Sequence, residues 1–132
     1  MIKNGLYCIY RMSDMELFEL TWYIRDHLFR RYNQEGSEVI ADNIPIEMNS
    51  IYLRYRDSDI ERLSELTKVV LERLQRSSVL IPDGSNLRMN AILNRFQCSK
   101  CKYVSYLTKL EPMKCFRCES EEMREFTGKR TS

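Results

Sequence analysis

The chain has 132 residues, 43% hydrophobic and 30% charged, with four glycines and three prolines; this excludes a fibrous repeat or a disordered polar chain and fits one compact domain plus a small appended module. The net charge of +2 is uneven: residues 1–78 hold 11 Lys+Arg against 13 Asp+Glu, and residues 79–132 hold 10 against 6, an excess too small to establish nucleic-acid binding on charge alone. No run nears the ~18 to 20 apolar residues of a membrane span, and the start MIKNGLYCIYRM lacks a signal peptide's apolar core, so an intracellular protein, cytoplasmic or nuclear, with no membrane partner is expected.

After Gly5, LYCIYRM is aromatic and β-branched enough for a buried strand, with Cys8 a small hydrophobe inside it. Ser13 and Glu16 then form a capping box, hydroxyl and carboxylate satisfying two orphan amides, which predicts that a long helix follows. Leu17, Leu20, Ile24 and Leu28 recur at helical spacing, with Phe18, Trp22, Phe29 and Tyr32 widening the stripe, until NQEG supplies a stop at Gly36. The aromatic stripe reads as core, and His27, the sole histidine, reads as a surface residue near the helix end.

Over residues 44–55 the period changes to two. Ile44, Ile46 and Met48 alternate with polar or imino neighbours, as do Ile51, Leu53 and Tyr55, and Asn49-Ser50 between them predicts a hairpin whose first strand lies at an edge because of Pro45. On that pairing Tyr52, Arg54 and Arg56 form an exposed aromatic-basic ladder. Ser58 and Glu61 open a second helix with Ile60, Leu63, Leu66, Val70 and Leu74 on one face, ending near Ser77-Ser78. VLIPDGS reads as a short strand running into a turn, and the terminal TGKRTS as a frayed tail.

The order strand, helix, strand, strand, helix, strand predicts an α+β fold over residues 1–90, two helices on an antiparallel sheet in the ferredoxin-like arrangement. A winged helix with its wing at residues 79–97 is the runner-up, short of a third helix. Residues 91–132 are expected to form a zinc ribbon with a basic tail.

That expectation rests on CSKCKYVSYLTKLEPMKCFRC, residues 98–118, where four of the five cysteines stand in two Cys-x-x-Cys pairs thirteen residues apart. Two residues between paired cysteines let a tight turn aim both sulfurs at one tetrahedral ion. Residues 102–114 suffice to leave one turn as a strand, reverse near Leu110-Glu111-Pro112 and return to the other. Cys98, Cys101, Cys115 and Cys118 are therefore the expected ligands of one structural zinc ion, with unrelated core cysteines or an iron–sulfur centre as alternatives. Strands are predicted at residues 91–97, 103–107 and 122–126. Few apolar side chains lie between the knuckles, so chelation is expected to unfold residues 95–126 while the first 78 keep their helices.

From 95 to 118 the cations Arg95, Lys100, Lys102, Lys109, Lys114 and Arg117 face Glu111 alone, a net +5, which four thiolates around a divalent ion reduce to about +3. Exposed Tyr103, Tyr106 and Phe116 beside such charge suit phosphate contact and base stacking. These six cations, with Arg54 and Arg56, are the candidate nucleic-acid contacts.

The interval of thirteen, the step Glu111-Pro112, the pair Met113-Lys114 before Cys115 and the GKR after the second knuckle make residues 96–130 resemble the smallest zinc-ribbon subunit of archaeal and eukaryotic RNA polymerases. The resemblance implies a structural zinc, with Cys98, Cys101, Cys115 and Cys118 as ligands, inside a nucleic-acid-handling assembly, and no catalysis. It does not extend to the helical N-terminal part. Lys102 and Glu119 replace the glycines that commonly follow ribbon knuckles, so a left-handed backbone there costs about 1 kcal/mol each. No phosphate-cradling loop, nucleophile with its base, or metal-hydrolase signature is present in the sequence. The expected function is non-catalytic: nucleic-acid binding or accessory work for transcription or replication machinery. A protein-interaction module is the alternative, either docked on a larger machine or a homodimer seamed by Leu63, Leu66, Val70 and Leu74.

Overall fold

A computed structural model describes residues 2–126, with side chains from residue 14 onward. It is an α+β protein: helix α1 (Ile2–Arg31), strand β1 (Glu38–Val39), helices α2 (Ile44–Ile51) and α3 (Ile60–Arg76), then strands β2 (Leu80–Asp83), β3 (Asn86–Met89), β4 (Asn94–Cys98), β5 (Val104–Leu107) and β6 (Met123–Glu125). Two antiparallel sheets result, ordered β1-β3-β2 and β5-β4-β6. Among the described residues no helix is long and apolar enough to cross a membrane.

The order helix, strand, helix, helix, strand, strand replaces the one behind the ferredoxin-like expectation. Residues 6–12 continue α1 towards its N-terminus rather than forming a strand. A short apolar run has no period of its own, so strand and helix cannot be told apart there by pattern. The side chains of Cys8 and Ser13 lie outside the described residues, as does the terminal TGKRTS with its GKR.

The expected hairpin over residues 44–55 is helix α2 followed by a single 3-10 turn, Leu53–Tyr55. Ile44 and Met48, four apart, are both buried, whereas Ile46 is 57% exposed, so alternation and helical spacing coincide over so short a stretch. Pro45 sits in the first turn of α2, where its missing amide has no intrahelical partner to lose. The Tyr52, Arg54 and Arg56 ladder does not form: Tyr55 is buried beside exposed Leu53, and Arg54 pairs with Glu19 of α1 at 2.8 Å.

Helix α3 forms as its periodicity requires, but Asp59, not Ser58, caps it, accepting from the Glu61 amide at 3.3 Å. Its apolar face packs Leu63, Val70, Leu71 and Leu74 inward, with Leu66 partly buried. That face belongs to the chain's own core. Ser78, at φ 66, turns the chain out of the helix, and the Val79 amide bonds back to Leu74. Gly84, at φ 64, opens the two-residue turn between β2 and β3, and Pro82 is tolerated because β2 is an edge strand.

One core cluster runs from Leu17, Leu20, Ile24 and Leu28 of α1 through Leu80, Leu87 and Met89 of the first sheet to Leu93 and Tyr106 of the ribbon. Beside it, α1 carries a buried polar strip, Arg25, Asp26 and His27, each 5% exposed or less. Arg25 donates to both carboxylate oxygens of Glu111, at 3.0 and 2.8 Å, and to the Tyr106 carbonyl at 2.6 Å. Asp26 accepts from the hydroxyls of Tyr52 and Tyr106 and from Arg30. His27, read from sequence as a surface residue, is buried and bonded through Nε2 to Glu47 at 2.7 Å.

Two predictions follow the buried polar groups. Glu111→Ala leaves the Arg25 guanidinium buried without its carboxylate and should cost about 3 to 5 kcal/mol in denaturant unfolding, most of it recovered when Arg25→Met is added. An unchanged midpoint for Glu111→Ala alone would contradict a paired, desolvated bridge. Burial first, then the bond to Asp26, pushes the pKa of Tyr52 and Tyr106 well above the ordinary tyrosine value, and burial with the bond to Glu47 pushes that of Tyr32 up to about 12. Above about pH 10 the unfolded chain loses these protons while the folded chain keeps them, so stability should fall from pH 10 upward. Tyrosinate absorbance titrated against far-ultraviolet dichroism checks this: the late-ionising tyrosines should appear together with unfolding.

Candidate metal centre

The ribbon is built around β4, with β5 on one edge and β6 on the other. Its strands lie within a few residues of their predicted places. Cys98 ends β4 and Cys101 completes the first knuckle; the chain then runs along β5, reverses at Thr108–Glu111 and enters the second knuckle at Cys115. The reversal is fixed by Glu111, whose amide donates to the Thr108 carbonyl at 3.2 Å while its carboxylate accepts the Thr108 amide at 3.0 Å.

The two knuckles repeat one backbone pattern. Lys102 N–H donates to Cys98 O at 3.0 Å and Cys98 N–H to Tyr103 O at 3.0 Å; Glu119 N–H donates to Cys115 O at 2.9 Å and Cys115 N–H to Ser120 O at 2.9 Å. Lys102 and Glu119 have φ of 68 and 65, the left-handed turn expected where ribbons commonly place glycine. Amides of Lys100 and Cys101 point at the Cys98 sulfur at 3.4 and 3.5 Å, and that of Arg117 at the Cys115 sulfur at 3.4 Å.

These turns gather the four sulfurs within 4.8 Å of one another, with Cys98–Cys118 and Cys101–Cys115 each at 3.5 Å. Metal–sulfur bonds of about 2.3 Å in a tetrahedron require sulfur–sulfur edges of about 3.8 Å, so the residues present fit a metal ion. Cys98 and Cys115 are buried and Cys118 is exposed. The Cys101 amide, helped by that of Lys100, brings the Cys98 thiol down to about 6. Cys118, favoured as thiolate by the Ser120 amide, is nonetheless pushed up to about 12 by the Cys98 sulfur and by desolvation. Sulfurs this close compete for negative charge, a conflict that a divalent cation removes. Four thiolates also fill a tetrahedral shell, leaving no position for a reacting water.

The candidate nucleic-acid contacts divide. Lys100, Lys102, Lys114 and Arg117 are exposed on the two knuckles, and Lys109 is exposed at the reversal. Arg56 is exposed after the 3-10 turn, while Arg54 is engaged with Glu19. Arg95 is half-buried between the rings of Phe29 and Phe126, its guanidinium carbon 5.1 and 5.3 Å from their centroids. Of the aromatics expected at the surface, Phe116 is exposed, Tyr103 is half-buried and Tyr106 is 2% exposed, turned inward to Asp26.

Sequence reasoning missed how the ribbon is held. Trp22 Nε1 donates to the Val104 carbonyl at 2.8 Å, Asn33 exchanges hydrogen bonds of 2.9 and 2.7 Å with the Leu93 backbone, and Arg25 clamps Glu111. The one sequence signal was Glu111, conspicuous as the lone acid between residues 95 and 118.

Removing the ion should therefore register on α1. Cys98→Ser or Cys115→Ser should abolish stoichiometric metal binding, worth on the order of 10 kcal/mol to the ribbon fold. The emission of Trp22, the only tryptophan, should shift to the red as the Val104 contact is lost, while helical dichroism from α1 and α3 persists. A metal-free chain with unchanged Trp22 emission and an equally protease-resistant ribbon would contradict this. Compared with family models, curated proteins and solved structures, the chain matches none significantly.

Proposed function

We propose that the protein is a non-catalytic nucleic-acid-binding factor, an accessory of transcription or replication machinery, kept in shape by one structural zinc ion. The observation that carries this reading is the crown of exposed cations on the four-sulfur centre: Lys100 and Lys102 on one knuckle, Lys114 and Arg117 on the other. Rigid knuckles fix these charges in place, which favours contact with a regular array of phosphates. Soft thiolate ligands in two Cys-x-x-Cys turns favour zinc over ions that prefer oxygen.

A second line of support comes from the first 90 residues. A three-helix set with a three-stranded sheet ordered β1-β3-β2 has the element order of a winged helix, and α2 supplies the third helix that the sequence reading lacked. In that arrangement α3 is the helix offered to a major groove and the β2–β3 hairpin is the wing. The resemblance of the ribbon to the small polymerase subunit belongs to the same reading.

Exposed Ile46, Ile51 and Leu53, at 57%, 42% and 74%, favour a second reading in which α2 and its following turn dock on a larger protein assembly. Light scattering and recovery of partners from native lysate test it; a monomer that retrieves nothing counts against it.

For the main reading, short duplex and single-stranded oligonucleotides should bind at low salt and release as salt rises. Changing Lys100, Lys102, Lys114 and Arg117 together to Ala should reduce the salt slope by about 3, from about 0.7 to 0.9 per lost phosphate contact. No binding at low salt, or an unchanged slope in the quadruple variant, would remove the ribbon from the interface.

A further inference from the structure

Between α1 and the ribbon lies a cleft of 540 Å³ whose walls carry Phe18 and Trp22 of α1, Tyr103 beside β5 and Phe116 of the second knuckle, with Arg73 of α3 also lining it. That volume is in the range of small-molecule and base pockets, about 300 to 1,000 Å³. Phe18 and Phe116 are 47% and 38% exposed. Phe18 and Tyr103 stack, their centroids 6.0 Å apart and their planes 28° from parallel. The same two rings and Trp22 also line an adjoining recess completed by Met15, Tyr23, Arg54 and the acids Glu16 and Glu19, which pair with Arg62 and Arg54. A short continuous row of ring faces thus borders both recesses.

Most of the acids around this row are already paired with cations. Arg73 lines the cleft, and exposed Lys102 and Arg117 are next in sequence to its Tyr103 and Phe116. Of the two acids on the cleft wall, Glu111 is already neutralised by Arg25 in a buried bidentate pair, leaving Asp14 alone. Phe18 and Tyr103 cover one face of each other and the Arg25 guanidinium lies 4.9 Å from the Phe116 centroid; the remaining ring faces, with cations beside them, match a ligand that is itself flat and joined to anions. An aliphatic peptide face would gain nothing from the rings' planarity, and a duplex could not offer its bases to them because they are already stacked on one another.

We propose that this cleft receives unpaired bases of single-stranded nucleic acid, stacked against Phe18, Tyr103 and Phe116, with the flanking phosphates held by Arg73, Lys102 and Arg117. The inference rests on the nucleic-acid reading above and sharpens it to a strand whose bases are free. Phosphate contact at the knuckles alone would bind duplex and single strand alike; the cleft distinguishes them.

The test uses the full-length, metal-loaded chain with an unstructured oligothymidylate and a blunt duplex of equal length. Trp22 is the only tryptophan and lines the cleft, so its emission reports occupancy. Oligothymidylate should quench Trp22 and bind more tightly than the duplex. Phe18→Leu and, separately, Phe116→Leu keep apolar bulk but remove a stacking face, and each should weaken oligothymidylate binding by about tenfold while leaving duplex binding and thermal stability unchanged. If oligothymidylate binds with Trp22 emission unaltered, or both leucine variants bind it as the parent does, the cleft inference is overturned and the knuckle reading stands. If neither nucleic acid binds at low salt, both fall. Quenching by an amphipathic Leu/Glu peptide with none by oligothymidylate would overturn the inference in favour of a protein occupant.

Discussion

Four sulfur atoms within 4.8 Å of one another set the terms for the C-terminal third of the chain. They cannot all ionise in the absence of a cation, because each thiolate raises the cost of the next. They also cannot disperse, because their knuckles are braced by matching backbone hydrogen bonds and by left-handed Lys102 and Glu119. The local strain is about 1 kcal/mol at each residue, small beside the roughly 10 kcal/mol that a structural ion contributes. A bound ion would therefore offset this strain, and it would reinforce a sheet whose strands are only five, four and three residues long.

The second constraint is the sharing of α1. One face of this helix buries Leu17, Leu20, Ile24 and Leu28 in the core it shares with α3, and another presents Trp22, Arg25 and Asp26 to the ribbon. The ribbon contact is unusual in being polar at its centre. Desolvating Arg25 and Glu111 is costly, and the bidentate geometry with the extra bond to Tyr106 O offsets that cost without turning it into a large gain. What such a pair does supply is register, since a one-residue slip of β5 along α1 would leave Arg25, Asp26 and the Trp22 indole facing the wrong partners. The pose of the knuckles relative to the helices follows from these few bonds.

The parts legible in sequence were those whose signal is local. The Cys-x-x-Cys pairs, a reversal near Leu110-Glu111-Pro112 (found at Thr108–Glu111), the face of α3 and the PDGS turn each depend on short, repeated spacings along the chain, and the structure has all of them. Residues 6–12 and 44–55 were misread for a common reason: runs of large apolar residues fewer than nine long satisfy period two and period 3.6 together. At 44–51 the arbiter was Pro45, which suits a helix's first turn as well as it suits a strand edge. The buried strip Arg25, Asp26 and His27 was illegible because its partners Glu111, Tyr106 and Glu47 are 86, 80 and 20 residues away. Nothing in a charged tripeptide announces that it will be paired out of water.

The distribution of charge argues for where a nucleic acid would lie. On a winged-helix reading α3 enters the groove, yet its exposed surface mixes Glu61, Glu65 and Glu72 with Arg62, Lys68, Arg73 and Arg76, and Arg62 is already drawn to Glu16 of α1. Such a helix neutralises few phosphates, and its carboxylates repel them. The knuckles carry Lys100, Lys102, Lys114 and Arg117 with Glu111 withdrawn into its pair with Arg25 and with acids resuming only at Glu119. Pairing Glu111 inward thus has two effects: it locks the ribbon to α1, and it leaves the outward cations of both knuckles without a compensating charge between them in sequence. Of the charged residues of α3 only Arg73 lines the cleft that also carries Tyr103 and Phe116, so under the proposed reading an anionic strand would meet the positive charge of α3 at the seam between helices and ribbon.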